Sequence, residues 1–241
     1  MQIRTDNFSE WYQAHMERFI PSYAFFSLIA CFVVNGVVYW ATQLLASGMY
    51  HHDLTTAFDR AVPFAPQWVV IYILSYPFWL VSYALTAKHN SKEFWYRFAF
   101  ADMLARLVCG VIFVAFPTTN IRPEIAGNGL LNWAMDFIYF MDAPYNLFPS
   151  IHCLASLMCY LGIRKCSDIP GWYRLATLSF AILIFASTQF TKQHYIADVA
   201  GGVAVALICF WIGMNTGGYR KLMNCFDRIN ERVFGEVADE E

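Results

Sequence analysis

The segment Ser187-Thr188-Gln189-Phe190-Thr191-Lys192-Gln193-His194-Tyr195-Ile196-Ala197-Asp198 is a short polar break between two apolar runs, about 175–190 and about 195–214. A helix needs roughly 17 to 25 mostly apolar residues to cross a bilayer, so the break reads as a turn at a membrane face. A second polar opening, Pro149-Ser150-Ile151-His152, precedes the run that ends near 163. Further towards the N-terminus, apolar runs cover about 24–46, 68–87 and 98–116. The fold expected from these runs is all-α: a polytopic membrane protein with six transmembrane helices in a bundle.

Composition agrees with that expectation. The 241 residues are 58% hydrophobic and 14% charged, against about 25% charged in a soluble domain. Residues 1–19 form an arm in which Phe8, Trp11, Tyr12, Met16 and Phe19 recur at helical spacing, the pattern of an amphipathic helix lying in the membrane interface. Residues 20–216 form one membrane domain, and 217–241 a polar tail ending Asp239-Glu240-Glu241, expected to be partly disordered. The connection 117–148 is apolar enough to lie on or dip into the interface and cover a lipid-facing site, whereas the His51-His52 pair in the loop 47–66 reads as solvated. The arm lacks the basic-then-apolar layout of a cleaved signal, so the first span is expected to act as an uncleaved targeting element. Seven cysteines, mostly within spans, show no zinc-ligand spacing and argue against a disulfide framework. No basic stripe suggests nucleic acid.

Orientation follows from lysine and arginine in the connections. The arm, the second-to-third connection, the fourth-to-fifth connection and the tail hold twelve of the sixteen basic residues. The opposite side holds three, Arg60, Arg122 and Lys192, and Arg106 lies within a span. Both termini are therefore expected to be cytoplasmic. His152, Arg122, Lys192 and His194 then all fall on the extracytoplasmic or lumenal face.

The reactive residue types collect on that face. His194 and Asp198 stand at i and i+4, a spacing at which side chains meet on a helix. A carboxylate on one imidazole nitrogen fixes the tautomer and frees the other nitrogen to attack. A structural pair at a membrane boundary would look the same. Ser150 suits a helix N-cap, where free backbone N–H groups accept a phosphate, and His152 in the first turn is placed to protonate a leaving oxygen. The alternative is a capping serine beside a histidine at headgroup level. Arg122 offers a bidentate phosphate ligand. Two histidines and a carboxylate on one membrane face are the parts that covalent phosphoryl transfer needs. Within the third span, Asp102 and Arg106 also stand at i and i+4, and an intramembrane charge is costly unless paired.

Taken in order, Arg122-Pro123, Pro149-Ser150-Ile151-His152 and Ser187-x6-His194-x3-Asp198 resemble the signature of the type-2 phosphatidic acid phosphatase superfamily, the membrane relatives of the vanadium haloperoxidases. The resemblance covers roughly 95–215 and implies six spans and a metal-independent lipid phosphatase or phosphotransferase with no cofactor. It implies that His194 becomes phosphorylated, Asp198 orients it, His152 is the general acid, and Arg122 and Ser150 bind phosphate oxygens. The partners implied are a phospholipid substrate, membrane lipids and an alcohol acceptor. Three positions depart from the signature: Ala115 stands at its lysine, Thr188 at its second arginine and Ile151 at its glycine. A phosphodiester monoanion needs fewer cations than a monoester dianion, and Phe148-Pro-Ser-Ile-His with Thr191-Lys-Gln-His-Tyr resembles the inositol-phosphorylceramide synthase branch. Lys192 is expected to supply part of the missing charge. Dephosphorylation of a polyprenyl diphosphate, and a non-catalytic lipid-binding or scaffold role, are the other readings.

Overall fold

The computed structural model describes residues 3–235, with side chains from residue 7. Ten α-helices follow one another: α1 (Ile3–His15), α2 (Ser22–Ala46), α3 (Ala57–Ala61), α4 (Val69–Lys88), α5 (Lys92–Ala115), α6 (Leu130–Met141), α7 (Ile151–Ile163), α8 (Gly171–Phe190), α9 (Ile196–Asn215) and α10 (Tyr219–Phe234). The strand content of the described residues is a two-residue parallel pair, β1 (His52–Asp53) with β2 (Thr118–Thr119).

Five helices are long and apolar enough to cross a membrane: α2, α4 with its leading 3-10 turn from Pro66, α5, α8 and α9. The expected fourth span is the 13-residue α7, which at about 1.5 Å per residue reaches only about two-thirds of a hydrocarbon core roughly 30 Å thick. Every α7 residue except His152 and Tyr160 is buried. The helix lies among α4, α5, α8 and α9, and its start is level with the start of α9, where the Ser150 N–H donates to the Asp198 carbonyl. Leu154, Met158 and Cys159 of α7 join Trp95, Phe98 and Phe113 of α5 in the main core.

Glycines set the closest helix contacts. A Cβ on Gly202 of α9 would collide with the Ser150 carbonyl oxygen, and one on Gly162 of α7 with the Thr86 side chain of α4. Small residues let helix backbones approach where lipid-like surroundings supply little hydrophobic drive. The Gly201-Gly202 pair therefore brings the start of α9 directly against the start of α7.

The ionisable pair inside α5 is paired locally through one carboxylate oxygen, while Asp102 Oδ2 and Arg106 Nε and Nη1 are buried without a partner. Arg106 Nη2 lies 2.8 Å from Asp102 Oδ1, and the Tyr83 hydroxyl donates to the same oxygen at 2.6 Å.

Two expectations need correction. The tail after 217 is not a disordered segment over 219–234, because α10 packs on α1, α2 and α5. Its polar composition hides an amphipathic period in which Tyr219, Leu222, Met223 and Phe226 enter the core. The final acidic residues lie outside the described range. The His51-His52 pair is half-buried and packed against rings: His52 stacks on Phe116 at 4.3 Å, and His51 lies tilted against Tyr145 at 4.6 Å. In the arm, α1 forms and buries Tyr12, whose hydroxyl donates to the Ile20 carbonyl at 2.7 Å, while Trp11 remains half exposed.

Candidate active site

Ser150 caps α7, its Oγ accepting from the Cys153 N–H at 3.3 Å. The Ser150 N–H donates to the Asp198 carbonyl at 2.9 Å, so the first turns of α7 and α9 are tied by backbone. His152 then faces the turn that carries His194, with ring centroids 5.7 Å apart. Its imidazole stacks on Tyr72 at 4.5 Å and lies 5.2 Å from Trp79, which fixes its plane. Asp198 Oδ2 stands 3.5 Å from His194 Nδ1 and accepts from the Tyr195 N–H at 2.8 Å. The carboxylate thus closes the α9 N-terminus and sits at ion-pair distance from the imidazole. His194 Nδ1 makes no hydrogen bond at that distance, and catalytic contacts of this kind commonly shorten when substrate binds.

The turn between α8 and α9 is held from several sides. Tyr139 of α6 donates to the Thr191 carbonyl at 2.7 Å, Asn120 to the Lys192 carbonyl at 2.9 Å, and the Tyr195 hydroxyl to the Ile121 carbonyl at 3.2 Å. Asp59, buried within α3, accepts from the Ile196 N–H at 2.8 Å while also capping α3 through Thr56. Such fixation by rigid elements is what positions a reacting group to within a fraction of an ångström.

Both imidazoles line one cavity of about 270 Å³. Its other walls include Tyr39 and Asn35 of α2, Tyr76 and Trp79 of α4, and Asp142 and Asn146 after α6. Asp142 accepts from the Tyr39 hydroxyl and, at 3.2 Å, from the Tyr72 hydroxyl. The acceptor oxygens Asn35 Oδ1 and Asn146 Oδ1 are buried without a partner. The wall across from the histidines therefore presents hydrogen-bond acceptors and one negative charge.

Of the residues singled out by sequence, the structure brings His152, His194, Asp198 and Ser150 together. Arg122 stands one layer behind: its guanidinium donates to the carbonyls of Asp142 and Tyr139 and, at 2.5 Å, to Gln193 Oε1. Its Nε is buried without a partner, its guanidinium lies over the Tyr139 ring, and Arg122 is not among the residues lining the cavity. Lys192 turns away from the cavity. With a left-handed φ of 56°, its ammonium donates to the Asp59 and Val62 carbonyls at 2.7 and 2.5 Å. Burial lowers the Lys192 pKa, and the Asp59 charge opposes that shift. Lys192→Ala is expected to cost about 2 kcal/mol of stability, the usual size for hydrogen bonds to a charged group, with KM unchanged. Thermal unfolding together with steady-state kinetics checks both parts, and a raised KM at unchanged stability would return Lys192 to the phosphate site.

Sequence reading missed Asp142, Asn146 and Asp59. For Asp59 a signal existed, since Thr56-x-x-Asp59 is a capping-box pattern. For Asp142 nothing local distinguishes it from Asp136 in the same apolar stretch. Among the described residues no group of three or more His, Cys, Asp or Glu side chains is placed to hold a metal ion.

Over residues 49–212, about two-thirds of the chain, the sequence matches the family model of the PAP2 superfamily. The chain belongs to that superfamily. The matched range begins in the loop after α2 and ends within α9, so it contains every cavity-lining residue from Tyr76 to His194. Neither a curated protein nor a solved structure matches this superfamily member. Membership with several membrane-length apolar helices fits a membrane phosphatase-type enzyme.

Proposed function

We propose that the protein is an integral membrane phospholipid phosphoesterase that works through a phosphohistidine. The reading rests on one observation: two imidazoles 5.7 Å apart, one in the first turn of α7 and one in the turn before α9, face a common cavity within a matched PAP2 segment. In this scheme His194 attacks the phosphorus, with Asp198 holding its Nδ1 proton so that the other nitrogen carries the lone pair. His152 gives a proton to the departing alcohol oxygen, then takes one from the attacking water or second alcohol. The backbone N–H groups opening α7, with Arg122 behind, stabilise the equatorial oxygens. Such positioning and charge stabilisation supply most of the rate in phosphoryl transfer. With the positive-inside bias of the connections, the site would open on the extracytoplasmic or lumenal face.

A second reading within the same chemistry has its own support. The signature positions Ala115 and Thr188 carry no charge, Lys192 is engaged elsewhere, and Asp142 adds a negative charge to the cavity wall. A dianionic monoester is disfavoured in such a site, and a monoanionic diester is tolerated. Transfer of a phosphorylated headgroup from a phosphodiester lipid to an alcohol, as in the inositol-phosphorylceramide synthase branch, follows from that balance.

Purified protein incubated with labelled phosphatidic acid, and separately with phosphatidylinositol plus an alcohol acceptor, separates the two. Free phosphate from the first alone supports hydrolysis, a phosphorylated acceptor from the second supports transfer, and neither product overturns the enzyme reading. Asp142→Asn is expected to raise kcat/KM on the monoester by roughly tenfold, the effect of about 1.4 kcal/mol from one unit charge a few ångström away at high effective dielectric. An unchanged monoester rate would show that the Asp142 charge does not reach the phosphate.

A further inference from the structure

At the end of the bundle away from the histidines, α5, α7 and α9 leave a groove of about 370 Å³, within the size range of ligand sites. Leu161, Leu207, Phe210 and Trp211 line its apolar part, and Arg164 and Lys165 stand at its mouth. Arg164 closes the C-terminus of α7, yet its guanidinium reaches across to α9 and lies 5.2 Å over the Phe210 ring. That cation–π seat holds a charge at the edge of an apolar channel.

Two cations beside the groove, Arg97 and Lys92, are matched. Arg97 pairs with Glu93 at 2.8 Å and Lys92 with Asp227 at 3.3 Å. Among the described residues, neither Arg164 nor Lys165 has a carboxylate within ion-pair distance. The nearby Asp168 accepts from the Ser167 hydroxyl, and Glu93 is taken by Arg97 and Tyr219. The negative end of a helix dipole explains a basic residue at the end of α7. It does not explain a guanidinium laid over a groove whose far wall, Trp211, is 64% exposed.

We propose that this groove is a binding site for an anionic phospholipid, separate from the catalytic cavity. The headgroup phosphate sits between Arg164 and Lys165, and an acyl chain lies along Leu207 and Trp211. A basic mouth over an apolar channel between spanning helices is complementary to a negatively charged lipid and gives nothing extra to a zwitterionic one. The proposal does not depend on which reaction the histidines perform.

Native mass spectrometry of the purified full chain, titrated with phosphatidylglycerol and with phosphatidylcholine, tests it. Phosphatidylglycerol should bind at least tenfold more tightly than phosphatidylcholine. Arg164→Gln with Lys165→Gln should remove about ten- to thirtyfold of that affinity, as expected for two interfacial cations, and leave phosphatidylcholine binding unchanged. The exposed single change Lys165→Glu should act in the same direction without disturbing packing. His194→Ala should keep full phosphatidylglycerol affinity. Equal affinity for the two lipids, unaltered affinity in the Arg164/Lys165 variants, or loss of it in His194→Ala would overturn the site.

Discussion

Replacing His194 by alanine is expected to lower turnover of any phosphate-ester substrate by about a thousandfold or more, while leaving the fold in place. A nucleophile has no substitute within the cavity, and removing one typically reduces an enzyme to the rate that binding and charge stabilisation alone supply. The structural role of the residue is carried by its backbone: the His194 N–H donates to the Thr188 carbonyl at 3.1 Å, and its carbonyl accepts from Gln189 at 2.9 Å. Its ring meets Asp198 at 3.5 Å and makes no tighter polar contact among the described residues. Thermal unfolding should therefore be nearly unchanged. Acid-labile phosphate trapped on the wild type and lost from the variant would identify the covalent intermediate. A variant that kept its turnover would return the protein to the non-catalytic lipid-binding reading.

The second large effect is on stability. Arg106→Met leaves the Asp102 carboxylate buried with Tyr83 alone, and breaking a buried ion pair from one side costs about 3 to 5 kcal/mol. The double change Asp102→Leu with Arg106→Met removes both charges and should recover most of that loss, since apolar replacements of similar volume are often neutral. The cycle measures coupling between the two positions. It also separates a structural pair from a substrate contact, because the pair lies close to the cavity that Trp79, Ile151 and Asn35 also line. A double variant that regains its stability and its activity marks the pair as structural. Recovered stability with lost activity would assign Arg106 to the substrate.

How far residues could be read before the fold was known depends on the range of the interaction. Ser150 as a cap follows from local helix geometry and the structure keeps it; His194 comes within 3.5 Å of Asp198 as its spacing suggests, but from the turn before the N-cap of α9 rather than from the helix. The close approach of Gly202 to the Ser150 carbonyl joins positions more than fifty residues apart, which no local spacing relates. Arg122 was found by its motif, but its donors reach Asp142, Tyr139 and Gln193, which no spacing relates to it. Lys192 looked like a phosphate ligand because it is two residues from His194, and a left-handed backbone at that position sends its side chain to α3 instead. For α10, average polarity masked the 3.6-residue period that buries Tyr219 and packs the partly buried Leu222 against the core.

By itself the sequence determined a membrane-embedded helical chain, the family to which it belongs, and a histidine–carboxylate pair with a capped second histidine. Those properties arise from apolar run length and from i to i+4 geometry, both local along the chain. Only the tertiary structure decided that α7 starts level with the start of α9, that Asp142 and not Lys192 borders the cavity, and that Asp59 holds the turn before α9. Each of these depends on which distant segments pack together and which way one backbone dihedral turns a long side chain, and neither is encoded in spacing.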